Sequence, residues 1–136
     1  MTTAELKKTA NEVRKGIIKS THAAKSGHPG GSLSAADIYT YLYFEELNID
    51  PKDPKKADRD RFVLSAGHGS TLLYALFYLM GYKDINLEDL KNFRQLGSKT
   101  AGHPEYGHLE GIDITTGPLG QGIASSVGMA LAERII

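Results

Sequence analysis

The chain has 136 residues, which is enough for one domain with a single hydrophobic core and too few for two. Sixteen lysines and arginines balance sixteen aspartates and glutamates, so the net charge is zero and no overall field favours nucleic acid or an anionic membrane. There is no cysteine, which excludes disulfides and thiolate metal sites. With no signal peptide or apolar span in the sequence, we expect a cytoplasmic protein.

The first part of the chain predicts two helices joined by a glycine-rich turn. Thr2 and Glu5 have the spacing of a capping box, and apolar residues then recur at helical intervals until about Lys25. The segment SGHPGG ends this amphipathic helix. Ser34 is the candidate cap of a second helix, which we expect to run to about Leu47.

The middle of the chain predicts a strand, a loop and a buried helix. The short apolar run 62–64 follows a charged segment and is typical of a buried parallel strand. After the Gly-His-Gly at 67–69, the segment 70–80 is apolar on nearly every face and is followed by Gly81. We therefore expect a helix that is buried on more than one side.

The last third predicts two helices separated by a long glycine-rich connection. Asn86 is the candidate start of a short helix to about Leu96, and 120–136 has a helical pattern. The connection 97–119 contains one candidate extended piece at 112–115, and loops of this length are usually functional or disordered. A parallel strand needs neighbours for its backbone groups. The pattern therefore predicts an α/β fold that is helix-rich, with an incomplete parallel sheet.

Three segments combine glycine with histidine, namely 26–31, 65–70 and 98–122. Glycine lets the backbone approach a ligand closely, and histidine exchanges protons near neutral pH. A purely structural loop seldom needs this mixture. The three segments are therefore the candidate functional site.

Their wider context carries a family resemblance. In chain order the segments are SGHPGGSLSAADI, DRFVLSAGHGSTLLYALFYL and SKTAGHPEYGHLEGIDITTGPLGQGIASSVGMA. They closely resemble the amino-terminal end of transketolases, which use thiamine diphosphate. The resemblance runs from about Ser26 to the last residue. It implies that residues 1–136 are part of a thiamine diphosphate-binding domain, truncated at the carboxyl-terminal end.

The resemblance also implies roles for individual residues. His28 and His103 match catalytic histidines that hydrogen-bond sugar hydroxyls and assist proton transfer, which is general acid–base work. The implied cofactor-binding residues are His68 at the phosphate end of the cofactor and, against its rings, Gly117, Pro118 and Leu119. No role is implied for the two remaining histidines.

The implied reaction is transfer of a two-carbon ketol unit between sugar phosphates in the pentose phosphate pathway. The family's motif for Mg²⁺ and the diphosphate, a Gly-Asp-Gly followed by an asparagine, does not occur in this sequence, so no metal ligand is expected in it. The activating glutamate of the family comes from another domain, across a dimer interface. We therefore expect the chain to be inactive alone and to need a second copy or a complementary carboxyl-terminal transketolase chain, with no nucleic acid or membrane partner.

Other interpretations remain at this point. The chain could be a subunit of a split transketolase, or a non-catalytic interaction module that keeps the loops and pairs with another chain. The glycines at 67, 69, 117 and 120 could be required only for the backbone geometry of turns. A dinucleotide-binding site at 117–122 is disfavoured, because the Gly-x-x-Gly-x-Gly there has the glycines in the reverse of the usual spacing. A zinc site is disfavoured because His103 and His108 are five apart in a glycine loop and no H-x-x-x-H occurs.

Overall fold

A computed structural model describes residues 1–135, and in this part of the chain the structure is helical. Residues 1–135 contain five α-helices, namely α1 (Thr3–Ala24), α2 (Pro29–Tyr41), α3 (Ser70–Met80), α4 (Leu87–Lys91) and α5 (Gln121–Ile135). A π-helical turn (Leu42–Glu46) continues α2, and a 3₁₀ turn (Gly67–Gly69) leads into α3. Within the same residues, no helix combines the length and apolar character needed to span a membrane.

Helix α3 is the centre of the core, as its apolar sequence predicts. Every residue from Ser70 to Phe77 is buried, and α1 and α2 pack against the helix. A methyl group on Gly16 of α1 would lie only 3.0 Å from the Cβ of Ala75, so the two helices approach closely. Phe77 also stacks on Tyr82, with ring centroids 4.6 Å apart. Helix α3 is therefore packed on several sides, as expected for a buried helix.

Several predicted boundaries are confirmed. Helix α1 begins with the capping box of Thr2 and Glu5 and ends at Lys25, which has a left-handed φ of 50°. Helix α3 ends at Gly81, whose φ of 86° is one that glycine adopts readily. Helix α5 covers the predicted segment up to Ile135, and residue 136 lies outside the described residues.

Helix α2 begins at Pro29 and not, as predicted, after Ser34. Proline suits the first position of a helix because its missing N–H is one that would be unbonded there anyway. The two glycines that follow are weak helix formers, but tertiary contacts hold the turn. In particular, Ser32 Oγ lies 3.1 Å from Thr71 Oγ1 of α3 in a buried hydrogen bond. The GHPGG segment is therefore the start of a helix rather than a separate loop.

Helix α4 is shorter than predicted and ends at Lys91 instead of about Leu96. Its capping box at Asn86 is present. Shortly after the helix, Arg94 takes a left-handed φ of 61°, and its N–H donates to the carbonyl oxygen of Thr100 at 2.9 Å. This hydrogen bond turns the chain back on itself and replaces the one that a continuing helix would make.

The predicted strand at 62–64 does not form as a strand in residues 1–135, nor does the extended piece at 112–115. In this range only an isolated bridge joins Tyr106 and Leu109. A strand is defined by hydrogen bonds to a neighbour, and side chains hold this segment instead. The ring of Phe62 lies edge-on to Tyr43, with centroids 5.0 Å apart. The helix-rich part of the prediction is confirmed, and the incomplete sheet is not observed.

Candidate active site

The fold brings three histidines together from distant parts of the chain. The ring centroid of His28 lies 5.5 Å from that of His68 and 6.0 Å from that of His103. They come from the residue before α2, the 3₁₀ turn before α3 and the long connection before α5. The other two histidines lie elsewhere: His22 is exposed on α1, and His108 pairs with Glu105 at 3.3 Å. The three histidines form the histidine cluster.

Two glycines let backbone lie directly against the histidine cluster. A methyl group on Gly31, in the first turn of α2, would be 3.5 Å from Nε2 of His68. A methyl group on Gly117 would be 3.7 Å from Cδ2 of His103. Both imidazoles are therefore flanked by bare backbone, which leaves the ring edges accessible to a ligand.

Helix α3 fixes the loop that carries His103. The hydroxyl of Ser70 donates to the carbonyl oxygen of Gly102 at 2.9 Å, and the hydroxyl of Tyr74 donates to that of Ala101 at 2.9 Å. Burial raises the pKa of Tyr74, so the phenol stays neutral and remains a donor. Two hydroxyls one helical turn apart thus hold the backbone just before the histidine.

The segment 116–119 is pressed against the Gly-His-Gly turn. A methyl group on Gly67 would lie 2.8 Å from both the carbonyl carbon and Oγ1 of Thr116, and 2.9 Å from the nitrogen of Gly117. The N–H of Thr116 donates to the carbonyl oxygen of Pro104 at 3.1 Å, which ties this segment to the loop of His103. Beyond it, the side chain of Leu119 is 75% exposed.

The electrostatics of the cluster favour a neutral imidazole at position 103. Burial lowers the pKa of His103, and the neighbouring His28, Arg94 and His68 lower it further. A neutral imidazole has one nitrogen that donates and one that accepts a hydrogen bond. His103 is therefore suited to bind hydroxyl groups and to accept a proton near neutral pH.

Sequence reasoning missed the residues that hold these loops. Arg94 donates from Nη1 to Ser26 Oγ at 2.7 Å, and it lies beside the loop of His103. No periodic pattern marks this arginine. Ser70 and Tyr74 did carry a signal, because they lie one helical turn apart in a helix predicted to be buried, and a buried hydroxyl needs a hydrogen-bond partner.

An open groove of about 910 Å³ lies beside the cluster, a volume typical of small-molecule sites. Its lining combines apolar surface with polar side chains and charges of both signs, and it includes Arg94, Lys99, His103, Glu105 and His108. In the described part of the chain, no three or more acidic, histidine or cysteine side chains are arranged to hold a metal ion.

Comparison with known proteins matches nearly the whole chain to one family. The family described as "Transketolase, thiamine diphosphate binding domain" matches residues 6–136. The transketolase of Cereibacter sphaeroides is 58% identical over 132 residues, which cover 97% of this chain and 20% of that protein. The chain therefore spans about a fifth of the length of the curated relatives that it matches.

Solved structures agree with the sequence matches. The transketolase of Campylobacter jejuni superposes with a TM-score of 0.91 at 50% identity, over 97% of this chain and 20% of that one. A transketolase of Pichia stipitis in complex with sedoheptulose 7-phosphate gives 0.89 at 49% identity, over 93% of this chain and 18% of that one.

Proposed function

This chain belongs to the transketolase family, and we propose that it is part of the cofactor-binding domain of an enzyme that transfers a two-carbon ketol unit between sugar phosphates. One observation carries the proposal, namely that the three Gly-His segments converge on a single histidine cluster. The sugar phosphate bound to the Pichia stipitis neighbour supports the substrate class. In this proposal the activity belongs to a longer protein, of which residues 1–136 form a truncated domain.

The residues present fit thiamine diphosphate. The glycines at 31 and 117 place bare backbone beside the cluster, and Oγ1 of Thr116 is buried without a hydrogen-bond partner in the described residues. We propose that His68 and the segment Gly117, Pro118 and Leu119 hold the cofactor. When bound, it supplies the carbanion chemistry needed to break and form a carbon–carbon bond. We propose that the accompanying Mg²⁺ is held by residues outside this chain.

The proposed work of this chain's own residues is binding and proton transfer. His28 and His103 face each other across the cluster, so both can hydrogen-bond hydroxyls of one sugar. The lowered pKa of His103 keeps its imidazole neutral and able to accept a proton. His68 lies within the same cluster and binds the cofactor. The cluster thus holds the sugar and the cofactor side by side.

A partner surface is also part of the proposal. We propose a cytoplasmic homodimer, or assembly with a complementary carboxyl-terminal transketolase chain. On α5 the apolar residues at positions 123, 127, 131 and 135 are each more than half exposed, which is unusual for a helix in a completed domain. This exposure supports a covering partner. It equally suits the alternative of a non-catalytic module that pairs with another chain.

The test uses the longer protein with a ketose phosphate donor, thiamine diphosphate and Mg²⁺. We expect His103→Ala to lower turnover by about 10² to 10⁴ with little change in cofactor affinity, since it removes a general acid–base group. His68→Ala should instead weaken cofactor binding. His22→Ala is the matched control, because this exposed histidine on α1 lies outside the cluster. Equal dependence of the first two variants on cofactor concentration would contradict the division of roles.

Two further measurements test where the metal site lies and whether the chain is part of an enzyme or a module. Calorimetry on the 136-residue chain alone should detect no magnesium-dependent cofactor binding of micromolar affinity or tighter. The gene should continue past residue 136 into a Gly-Asp-Gly motif. A stop codon at that point, together with tight capture of a partner chain, would favour the module.

A further inference from the structure

Arg94 lies between the loops that carry His28 and His103, and it contacts both. Its Nη1 donates a hydrogen bond of 2.7 Å to the hydroxyl of Ser26, two residues before His28. A methyl group on Gly102, directly before His103, would lie 2.8 Å from Nε of Arg94 and 3.3 Å from its Cζ. The guanidinium therefore fills the space between the loops, and a larger residue in place of Gly102 would displace it.

The backbone of Arg94 is held in a costly conformation. Its φ of 61° is left-handed, which costs a residue other than glycine about 1–2 kcal/mol. The N–H bonds the carbonyl oxygen of Thr100, and the buried hydroxyl of Thr100 donates to the carbonyl oxygen of Asp89 at 2.7 Å. The preceding Phe93 is 1% exposed. The surroundings thus fix the position from which the guanidinium extends.

We propose that Arg94 is a positioning residue that sets the separation of His28 and His103, because its guanidinium donates to Ser26 and packs against the backbone at Gly102. The inference rests on the proposed function, since this separation matters only if both imidazoles act on one sugar. The contacts support a positioning role because the guanidinium touches the segments on either side and neither histidine is its hydrogen-bond partner.

The titration of His103 reports on the same contact without any cofactor. The titratable and charged groups that face this imidazole are His28, His68 and Arg94, and together with burial they lower its pKa. Removing the charge at position 94 should therefore raise the pKa of His103. The measurement remains informative even if the longer protein has no ketol-transfer activity.

The experiment compares Arg94→Gln, Arg94→Lys and the control Arg14→Gln. Arg14 also joins two segments, donating from Nη1 to Asp37 at 3.0 Å, but its partner is on α2 and not in a histidine loop. Kinetics and cofactor affinity are measured on the longer protein. Histidine protonation is followed by titration of the cofactor-free longer protein labelled with ¹³C at Cε1, with His103 assigned from the signal missing in His103→Gln.

We expect Arg94→Gln to lower kcat by about 10- to 100-fold, the range for a small misplacement of catalytic groups, with cofactor affinity within about twofold of wild type. In the same variant the pKa of His103 should rise. Arg94→Lys keeps the charge but has a single side-chain nitrogen. The pKa of His103 should therefore stay near its wild-type value, while kcat recovers only in part. Arg14→Gln should match wild type in all three measurements.

The outcomes that overturn the proposal are distinct from those that overturn the proposed function. A wild-type kcat and an unchanged His103 titration in Arg94→Gln would exclude positioning by this arginine. Full recovery of kcat in Arg94→Lys would show that charge alone suffices and that joining the loops is not required. An inactive wild-type protein would refute the proposed function, and the titration would still test the contact.

Discussion

Alanine at Gly67 should damage the site by steric overlap alone. The added methyl group would lie 2.8 Å from the carbonyl carbon of Thr116 and 2.9 Å from the nitrogen of Gly117. These are backbone atoms, so no side-chain rotation relieves the contact. Gly67 does not have a positive φ, which leaves the overlap as the reason for the penalty. Overpacking of this kind costs about 1–3 kcal/mol.

Gly69→Ala is the matched control in the same turn. Its methyl group would lie 3.8 Å from Oγ of Ser32 and at least 3.9 Å from Leu64, which is ordinary contact. Alanine is a poorer helix cap than glycine, but it also lowers the entropy of the unfolded chain, and the two effects of about 0.5 kcal/mol offset each other. We therefore expect little change in stability.

Urea unfolding of the 136-residue chain, followed by circular dichroism, measures the difference. A loss of about 2 kcal/mol lowers the midpoint by about 1 M at a slope of about 2 kcal/mol per M. Because the overlap is with the segment that adjoins His103, the resonance of that imidazole should also move in Gly67→Ala and not in Gly69→Ala. Equal midpoints for the two variants would refute the close packing of the turn against residues 116–117.

Three other predictions follow from the same structure. Because the folded-state pKa of His103 is below its ordinary value, the unfolded chain binds this proton more tightly, and stability should fall as pH drops from about 7 to about 5. His103→Gln should lose less stability over that range, and parallel curves would contradict the lowered pKa. Arg59→Met should cost about 3–5 kcal/mol in urea unfolding, because it leaves Asp113, whose side chain is 8% exposed, without its charged partner; a loss below about 1 kcal/mol would show that the pair is not effectively buried. The isolated chain should self-associate in light scattering through α5, and Leu131→Lys should reduce the association, whereas a strictly monomeric wild type would show that α5 needs no cover.

The sequence predicted helix boundaries correctly where the local signals were strong. The capping box at Thr2, the apolar run of α3 and Gly81 each fix a boundary through nearby residues. The start of α2 was missed because Gly30 and Gly31 disfavour a helix in isolation, and only contacts with α3 and His68 make the turn helical. The strand at 62–64 failed for a related reason, since a strand depends on a neighbour that residues 1–135 do not supply.

The candidate site also has features that the sequence predicts and features that depend on tertiary contacts. The Gly-His motifs are visible in the sequence, but no local pattern says that His28, His68 and His103 meet. Their convergence depends on long-range packing around α3 and was expected only through the family resemblance. Arg94 carried no signal, because its left-handed backbone and its hydrogen bond to Ser26 arise from tertiary contacts.

Two non-glycine residues in the range 1–135 have a positive φ, and both neighbour Ser26. Lys25, at 50°, directly precedes Ser26, and Arg94, at 61°, donates to it. Selection for thermal stability would favour glycine at position 25, because the change relieves backbone strain and the side chain of Lys25 is exposed. Glycine at 25 removes an exposed lysine, whereas glycine at 94 also removes the guanidinium between the histidine loops. At position 94 the relief of strain is therefore offset by the loss of the hydrogen bond to Ser26 and of the packing against Gly102, so the same selection should retain Arg94.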